Sequence, residues 1–190
     1  MSLLAEPAEH LFGLLEQEAP QARLRIVHAA APRETSRSSA QDDETPNSAE
    51  EGVRLGTVLI VEDDAMVAFQ IEDSLQDDGF SVCGVAATAR AGLALFHEFK
   101  PEFAVLDVRL AQGDGRDVAR EIARLSSDTI ILMCTAEDED NLQGIGAHAL
   151  LRKPFDFRAV GASLVATRCW ARGEWAVKAP PQLVRLRPER

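Results

Sequence analysis

Between residues 56 and 170 the chain alternates five times between a short apolar run and a stretch with apolar residues at helical spacing. The runs are TVLIV (57–61), SVCGVA (81–86), FAVLDV (103–108), TIILMCT (129–135) and HALLRK (148–153). Most are continuous rather than alternating, which is the mark of strands buried on both faces. Val67, Ile71 and Leu75 predict a helix over 65–77, ended by Gly79. Thr88 is placed to cap a helix carrying Ala91, Leu95 and Phe99, with Pro101 beyond its end. Val118, Ile122 and Leu125 mark a third helix, a short acidic one is expected near Glu137, and a last one runs over 156–172. Five strands and five helices in this order imply an α/β, doubly wound parallel sheet with right-handed crossovers. Ligands on such sheets sit at the carboxyl ends of the strands.

The flanks read differently. Residues 1–20 carry Leu4, Leu11 and Leu15 and suggest a short amphipathic helix. Residues 21–55, rich in Ser, Ala, Pro and acids, read as a flexible linker. The sheet domain is expected over 56–172, and 173–190 as a basic, Pro-containing tail without stable structure of its own. RLRIVH (23–28) and QLVRLR (182–187) both alternate apolar and basic residues, as short strands or as segments ordered only by a partner, with the second reading favoured. Trp170 and Trp175 stand at the end of the last helix, packed on the domain and its tail or used at a partner surface.

With 31 acidic against 20 basic residues the formal charge is −11, which argues against a broadly positive nucleic-acid face. The chain has no apolar run near the roughly 20 residues of a membrane span, and its N-terminus lacks the early basic residues of a signal peptide. Cys83, Cys134 and Cys169 are too scattered for a zinc knuckle or a disulfide framework and suit a reducing cytoplasm. The four histidines show no metal spacing.

What stands at the strand ends carries the chemistry. The first strand ends in Glu62-Asp63-Asp64, the third carries Asp107 near its end, the fourth ends in Thr135-Ala136, and the fifth in Lys153-Pro154-Phe155. If the first strand is central, these converge in one crevice. Clustered carboxylates repel one another unless a cation intervenes, and hard oxygen ligands with room for water suit Mg²⁺. A lysine and a hydroxyl beside them suit a phosphoryl group. An Asp there can act as nucleophile and form an aspartyl phosphate. Taken singly, the acids also read as a solvated turn and helix start, Lys153 as a surface lysine and Thr135 as a helix cap.

LIVEDD, VLDVRL, the Thr135-Ala136 pair and Lys153-Pro154-Phe155, in this order, resemble the CheY-like receiver domain of two-component response regulators, over about residues 56–170. The resemblance implies a flavodoxin-like (βα)5 sheet of strand order 2-1-3-4-5, with an N-terminal extension and a C-terminal tail. It implies that Asp107 is the phosphoacceptor, and that Asp63 and Asp107 bind Mg²⁺ directly. Glu62 would reach the ion through water and the backbone carbonyl of Arg109 would complete the coordination. It further implies that Thr135, the backbone N–H of Ala136 and Lys153 hold the phosphoryl group, and that the bond before Pro154 is cis.

The departures from that pattern matter as much. The aromatic switch position three residues before the lysine is Leu150, and the chain contains no Tyr. Thr135 and Lys153 are only 18 residues apart, about one helical turn less than is usual, so the fourth helix is expected to be short or irregular. These features look more like the receivers of alphaproteobacterial general stress-response regulators and the stand-alone receivers of that group. With only 20 residues after Trp170, the expectation is a cytoplasmic, single-domain response regulator. It would accept a phosphoryl group from a histidine kinase or phosphotransfer protein. Its output would be binding, to a second copy or an effector, through the face of the fourth helix, fifth strand and fifth helix. Two rivals stand beside it. One is a docking module that works without phosphate. The other is a Mg²⁺-dependent phosphohydrolase, which would want an acid where Arg109 stands. A pairing of Arg109 with Glu137 across the pocket mouth would slow hydrolysis of the phosphate.

Overall fold

In the computed structural model, residues 54–186 are described. The expected helix over 1–20, nearly all of the linker over 21–55, and RLRIVH lie outside them. The apolar runs become β1 (Thr57–Val61), β2 (Ser81–Ala86), β3 (Phe103–Leu106), β4 (Ile130–Thr135) and β5 (Ala149–Arg152). All neighbours among these five pair in parallel, in the order β2-β1-β3-β4-β5. The helices are α1 (Ala65–Asp77), α2 (Ala89–Phe99), α3 (Gly115–Leu125) and α4 (Ala159–Ala171).

Strand side chains alternate between two separate cores. Val58, Ile60, Val105 and Leu132 pack with Ile71 and Leu75 of α1 and Val160 and Leu164 of α4. Leu59, Val61, Leu106 and Met133 pack with Leu95 and Phe96 of α2 and Val118 and Ile122 of α3. This explains why β1, β3 and β4 show no polar face, since helices cover both sides. Each Leu or Ile buried this way contributes about 1.5–3 kcal/mol of transfer free energy.

Local chemistry sets the helix ends. Asp64 caps α1, its carboxylate accepting from the N–H groups of Met66 and Val67. It is therefore spent on the helix, unlike its two acidic neighbours. Thr88 caps α2 and Asp114 caps α3. Gly79, at φ 90°, follows the end of α1.

Two expectations are corrected. There is no fourth α-helix between β4 and β5, but a single 3₁₀ turn over Glu139–Leu142. Four successive acids (137–140) repel one another there, and Gly144 and Gly146 adopt φ of 72° and 78°, where a helix cannot continue. The chain thus has four α-helices among its described residues, not five. The tail is the second correction. Leu183–Arg185 forms β6, antiparallel to β5, and makes the sheet six-stranded. Its residues are divided between the cores, with Leu183 in that of α1 and α4, and Val184 and Leu186 in the other. The tail is ordered because the β5 edge and the space left by the missing helix offer it backbone partners and apolar surface together.

Candidate phosphoryl and cation site

Every strand-end residue singled out from the sequence arrives at the same end of the sheet. Glu62 follows β1, Asp107 follows β3, Thr135 ends β4 and Lys153 follows β5. Glu62, Asp63 and Asp107 each offer a carboxylate oxygen, and these oxygens lie within 4.8 Å of one another. Glu62 and Asp107 are largely buried, their side chains 3% and 12% exposed, whereas Asp63 faces solvent. The Lys153 ammonium bridges the two buried acids, 2.9 Å from Glu62 Oε2 and 2.7 Å from Asp107 Oδ2. The other Asp107 oxygen accepts the Val108 N–H at 2.6 Å.

The electrostatics follow from this packing. Burial pushes the Glu62 carboxyl above its ordinary range; the bond from Lys153 opposes this, and the charge of Asp107 adds to it. Burial works against the charge of Lys153, but its bonds to Asp107 and Glu62 outweigh that and raise its pKa. Cys134 lies buried beneath the site, and desolvation raises its thiol pKa, which keeps it protonated and inert.

Thr135 is buried, and its hydroxyl oxygen accepts the Glu137 N–H at 3.3 Å. Its backbone carbonyl accepts the Lys153 N–H at 3.0 Å, so the hydroxyl and the ammonium sit on directly linked backbones. Ala136 follows immediately, and the Lys153–Pro154 bond is cis. Arg109 lies two residues past Asp107, in an isolated bridge with Asp114. The expected Arg109–Glu137 pair does not form. Glu137 instead accepts from Asn141 at 3.4 Å, and its charge acts on Arg116. Leu150, where the switch residue was expected, is completely buried against the α2–α3 core, which Leu186 and the partly buried Val184 of the tail also join.

One positioning residue went unrecognised in the sequence. Gly115 opens α3 directly against the Asp107 backbone, and a Cβ there would strike the Asp107 carbonyl oxygen. Its signal was the GDG within RLAQGDG, a loop between a strand and a helix, but no spacing rule identifies which glycine faces the acid.

The donor set is hard oxygen in a partly open pocket, a chemistry that fits a small divalent cation. A cation-stabilised acid beside a lysine and a hydroxyl is arranged to receive and hold a phosphoryl group. No helix among the described residues is long and apolar enough to cross a membrane.

Comparisons with known proteins agree with this arrangement. Residues 58–164 match the model of the response regulator receiver domain. The transcriptional regulatory protein PdtaR of Mycobacterium tuberculosis is 31% identical over 101 residues, which is 52% of this chain and 49% of that protein. The chemotaxis protein CheY of Thermotoga maritima is 28% identical over 102 residues, 52% of this chain and 85% of that protein. The chain thus spans about half the length of the first of these relatives and most of the second. Among solved structures, a CheY-like receiver domain protein from Methanospirillum hungatei superposes with a TM-score of 0.55 at 24% identity, over 62% of this chain and 97% of that one, a likeness of fold. A sheet of this order, an acid pocket at its carboxyl end and a family match over more than half of the sequence place the chain in the response regulator receiver domain family.

Proposed function

We propose that this protein is a response regulator that accepts a phosphoryl group on Asp107 from a histidine kinase or phosphotransfer protein and signals through phosphorylation-dependent protein binding. The observation that carries the reading is the Lys153 ammonium bridging Glu62 and Asp107 at 2.9 and 2.7 Å. A structural lysine does not need two buried acids, and two buried acids at this distance are tolerable only with a cation between or beside them.

In the proposed step an Asp107 carboxylate oxygen attacks the phosphorus of a phosphohistidine. The P–O bond forms as the P–N bond breaks, and the imidazole nitrogen keeps the electron pair. Lys153 pairs with the phosphoryl oxygens, the Thr135 hydroxyl turns from its turn contact to donate to them, and the Ala136 N–H adds a third donor. Glu62, Asp63, Asp107 and the Arg109 carbonyl would hold Mg²⁺, whose charge offsets that of the incoming phosphoryl group. Met66 and Phe69, exposed on the first turns of α1 beside the pocket, supply the apolar surface on which a phosphodonor protein would dock.

The test is intact-mass analysis after incubation with acetyl phosphate and Mg²⁺. A labile phosphoryl adduct that Asp107→Asn abolishes supports the reading; identical behaviour of the two proteins ends it. A phosphate-independent docking module is the second reading, favoured by one observation. Leu150 is fully buried beneath the tail, so no aromatic rotor couples the pocket to the surface. Saturable Mg²⁺ binding with no phosphoryl uptake would select it.

A further inference from the structure

The tail strand β6 contacts the sheet at the point where the pocket and the sheet edge share a residue. Arg152 is that residue. Its Cα partner on β4 is Thr135, the hydroxyl residue of the pocket, and its chain neighbour is Lys153. On the opposite side its N–H donates to the Gln182 carbonyl of the tail at 3.1 Å. Its side chain reaches Asp138, on the loop that follows Thr135, at 3.1 Å.

The rest of the attachment is slight. The β5–β6 ladder pairs only Ala149–Arg185, Leu150–Val184 and Leu151–Leu183. The Leu186 N–H donates to the His148 carbonyl at 3.0 Å, and the Arg185 guanidinium lies 4.1 Å above the Trp175 ring. A three-residue edge strand is at the low-stability end of any sheet. Its apolar anchors nonetheless fill the face that the missing fourth helix leaves open, since Leu186 is buried in the same core as Leu142, Ile145, Ala147 and Leu150.

We propose that the β5 edge is an interaction surface for an extended peptide segment of the pattern apolar–apolar–basic–apolar, held in cis by β6 and released by phosphorylation of Asp107. The proposal rests on the phosphoacceptor reading above. Its direction comes from topology. Asp107 and Glu62 lie toward the sheet centre from β5, and β6 lies on the other side. Conversion of the Asp107 carboxylate to an acyl phosphate adds about one net negative charge at the pocket, with three acceptor oxygens beyond the carboxyl group. Lys153 already touches Asp107 and passes to the phosphoryl oxygens, whereas Thr135 is drawn inward, away from β6. Because Thr135 pairs with Arg152 on the β4–β5 ladder, this strains the Arg152–Gln182 bond. Once β6 leaves, the β5 edge presents unpaired N–H and C=O groups flanked by the sockets of Leu183, Val184 and Leu186. A strand of the same pattern satisfies both. The occupant seen on the edge, Leu183-Val184-Arg185-Leu186, defines that pattern.

The experiment uses the full chain with beryllofluoride and Mg²⁺ and two separate readouts. Fluorine NMR reports whether beryllofluoride occupies Asp107, and amide hydrogen exchange reports the Arg152 and Leu186 N–H groups. A fluorescent peptide of residues 180–190 serves as the trans strand. The expected result is exchange at both amides, and peptide affinity, each raised about tenfold, within the usual range of coupling between linked sites. By reciprocity Val184→Asp, which loosens β6 without touching the pocket, should raise beryllofluoride affinity severalfold. Bound beryllofluoride with unchanged exchange and no gain in peptide binding overturns the latch and leaves the phosphoacceptor reading standing. Failure of beryllofluoride to bind Asp107 overturns both.

Discussion

The Lys153 ammonium lies 2.7 Å from Asp107 Oδ2, a contact between residues 46 apart in the chain that joins the ends of β3 and β5 across β4. The same ammonium neutralises Glu62. The lysine is thus both the resting counter-ion of the pocket and the group that would receive a phosphoryl oxygen.

That double role predicts effects of opposite sign. Lys153→Met removes a competing positive charge, so Mg²⁺ should bind more tightly by calorimetric titration. Phosphoryl uptake from acetyl phosphate should fall at least tenfold, in line with about 1.5–3 kcal/mol for a charge-assisted hydrogen bond. A loss of both activities together would contradict the counter-ion role.

Gly115 sets the distance between α3 and the Asp107 backbone. A Cβ at this position meets the Asp107 carbonyl oxygen, which is backbone and cannot step aside. Gly115→Ala should therefore destabilise the fold by roughly 1–3 kcal/mol, the usual cost of overpacking, and weaken Mg²⁺ binding as well. Urea denaturation and titration calorimetry check the two parts. A variant of unchanged stability and affinity would show that the helix start yields freely.

An aromatic ring placed at position 150, where the switch residue was expected, should not create a switch. Leu150 is fully buried, with Val184 and Leu186 of the tail in the same core. Leu150→Tyr must overpack this site and bury a hydroxyl, at a cost of about 1–3 kcal/mol. Chemical denaturation of the two proteins measures it. Equal stability would mean that the tail moves aside at little cost.

His148 makes stability pH-dependent. Its Nδ1 accepts the Ile131 N–H at 3.2 Å, and burial lowers its pKa. A lowered folded pKa means that the stability is fully present above the ordinary histidine value of about 6.5 and is lost as pH falls through the folded value. Glu62, with its raised pKa, acts in the opposite direction: its contribution is lost as pH rises through its folded value. His148→Asn keeps an acceptor and removes the titration. Thermal melts from pH 7 to pH 5 should show a larger loss for the wild type than for the variant.

The exposed apolar pair on α1 separates two kinds of donor. Phe69 is 52% exposed and Met66 66%, one turn apart beside the pocket. Phe69→Ser should slow phosphotransfer from a cognate donor protein severalfold while leaving the rate with acetyl phosphate unchanged. Equal slowing with both would place the effect in the fold rather than in docking.

Much of this was legible in the residue order. The continuous apolar runs specified buried parallel strands, and the polar residues that end them had to emerge at one rim. Glu62, Asp63, Asp107, Thr135 and Lys153 all stand there. Asp64 was ambiguous, because an acid after a strand serves equally as ligand or cap; its bonds to Met66 and Val67 decide for the cap. The irregular fourth helix was visible in the 18-residue spacing from Thr135 to Lys153, but its reduction to one 3₁₀ turn was not.

By itself, then, the sequence determined the five parallel strands and the polar residues at their carboxyl ends, because periodicity and strand-end chemistry are local, while the strand order came only with the family resemblance. Only the tertiary structure decided the fate of Gln182–Leu186. Apolar and basic residues in alternation are compatible with a strand, but a strand exists only against an edge that accepts it. That edge is β5, more than 30 residues earlier in the chain, open because no other strand pairs with its outer side. The same long-range pairing decided that Lys153 rests on both Glu62 and Asp107, since the distance between strand ends is set by the sheet and not by any one segment of the chain.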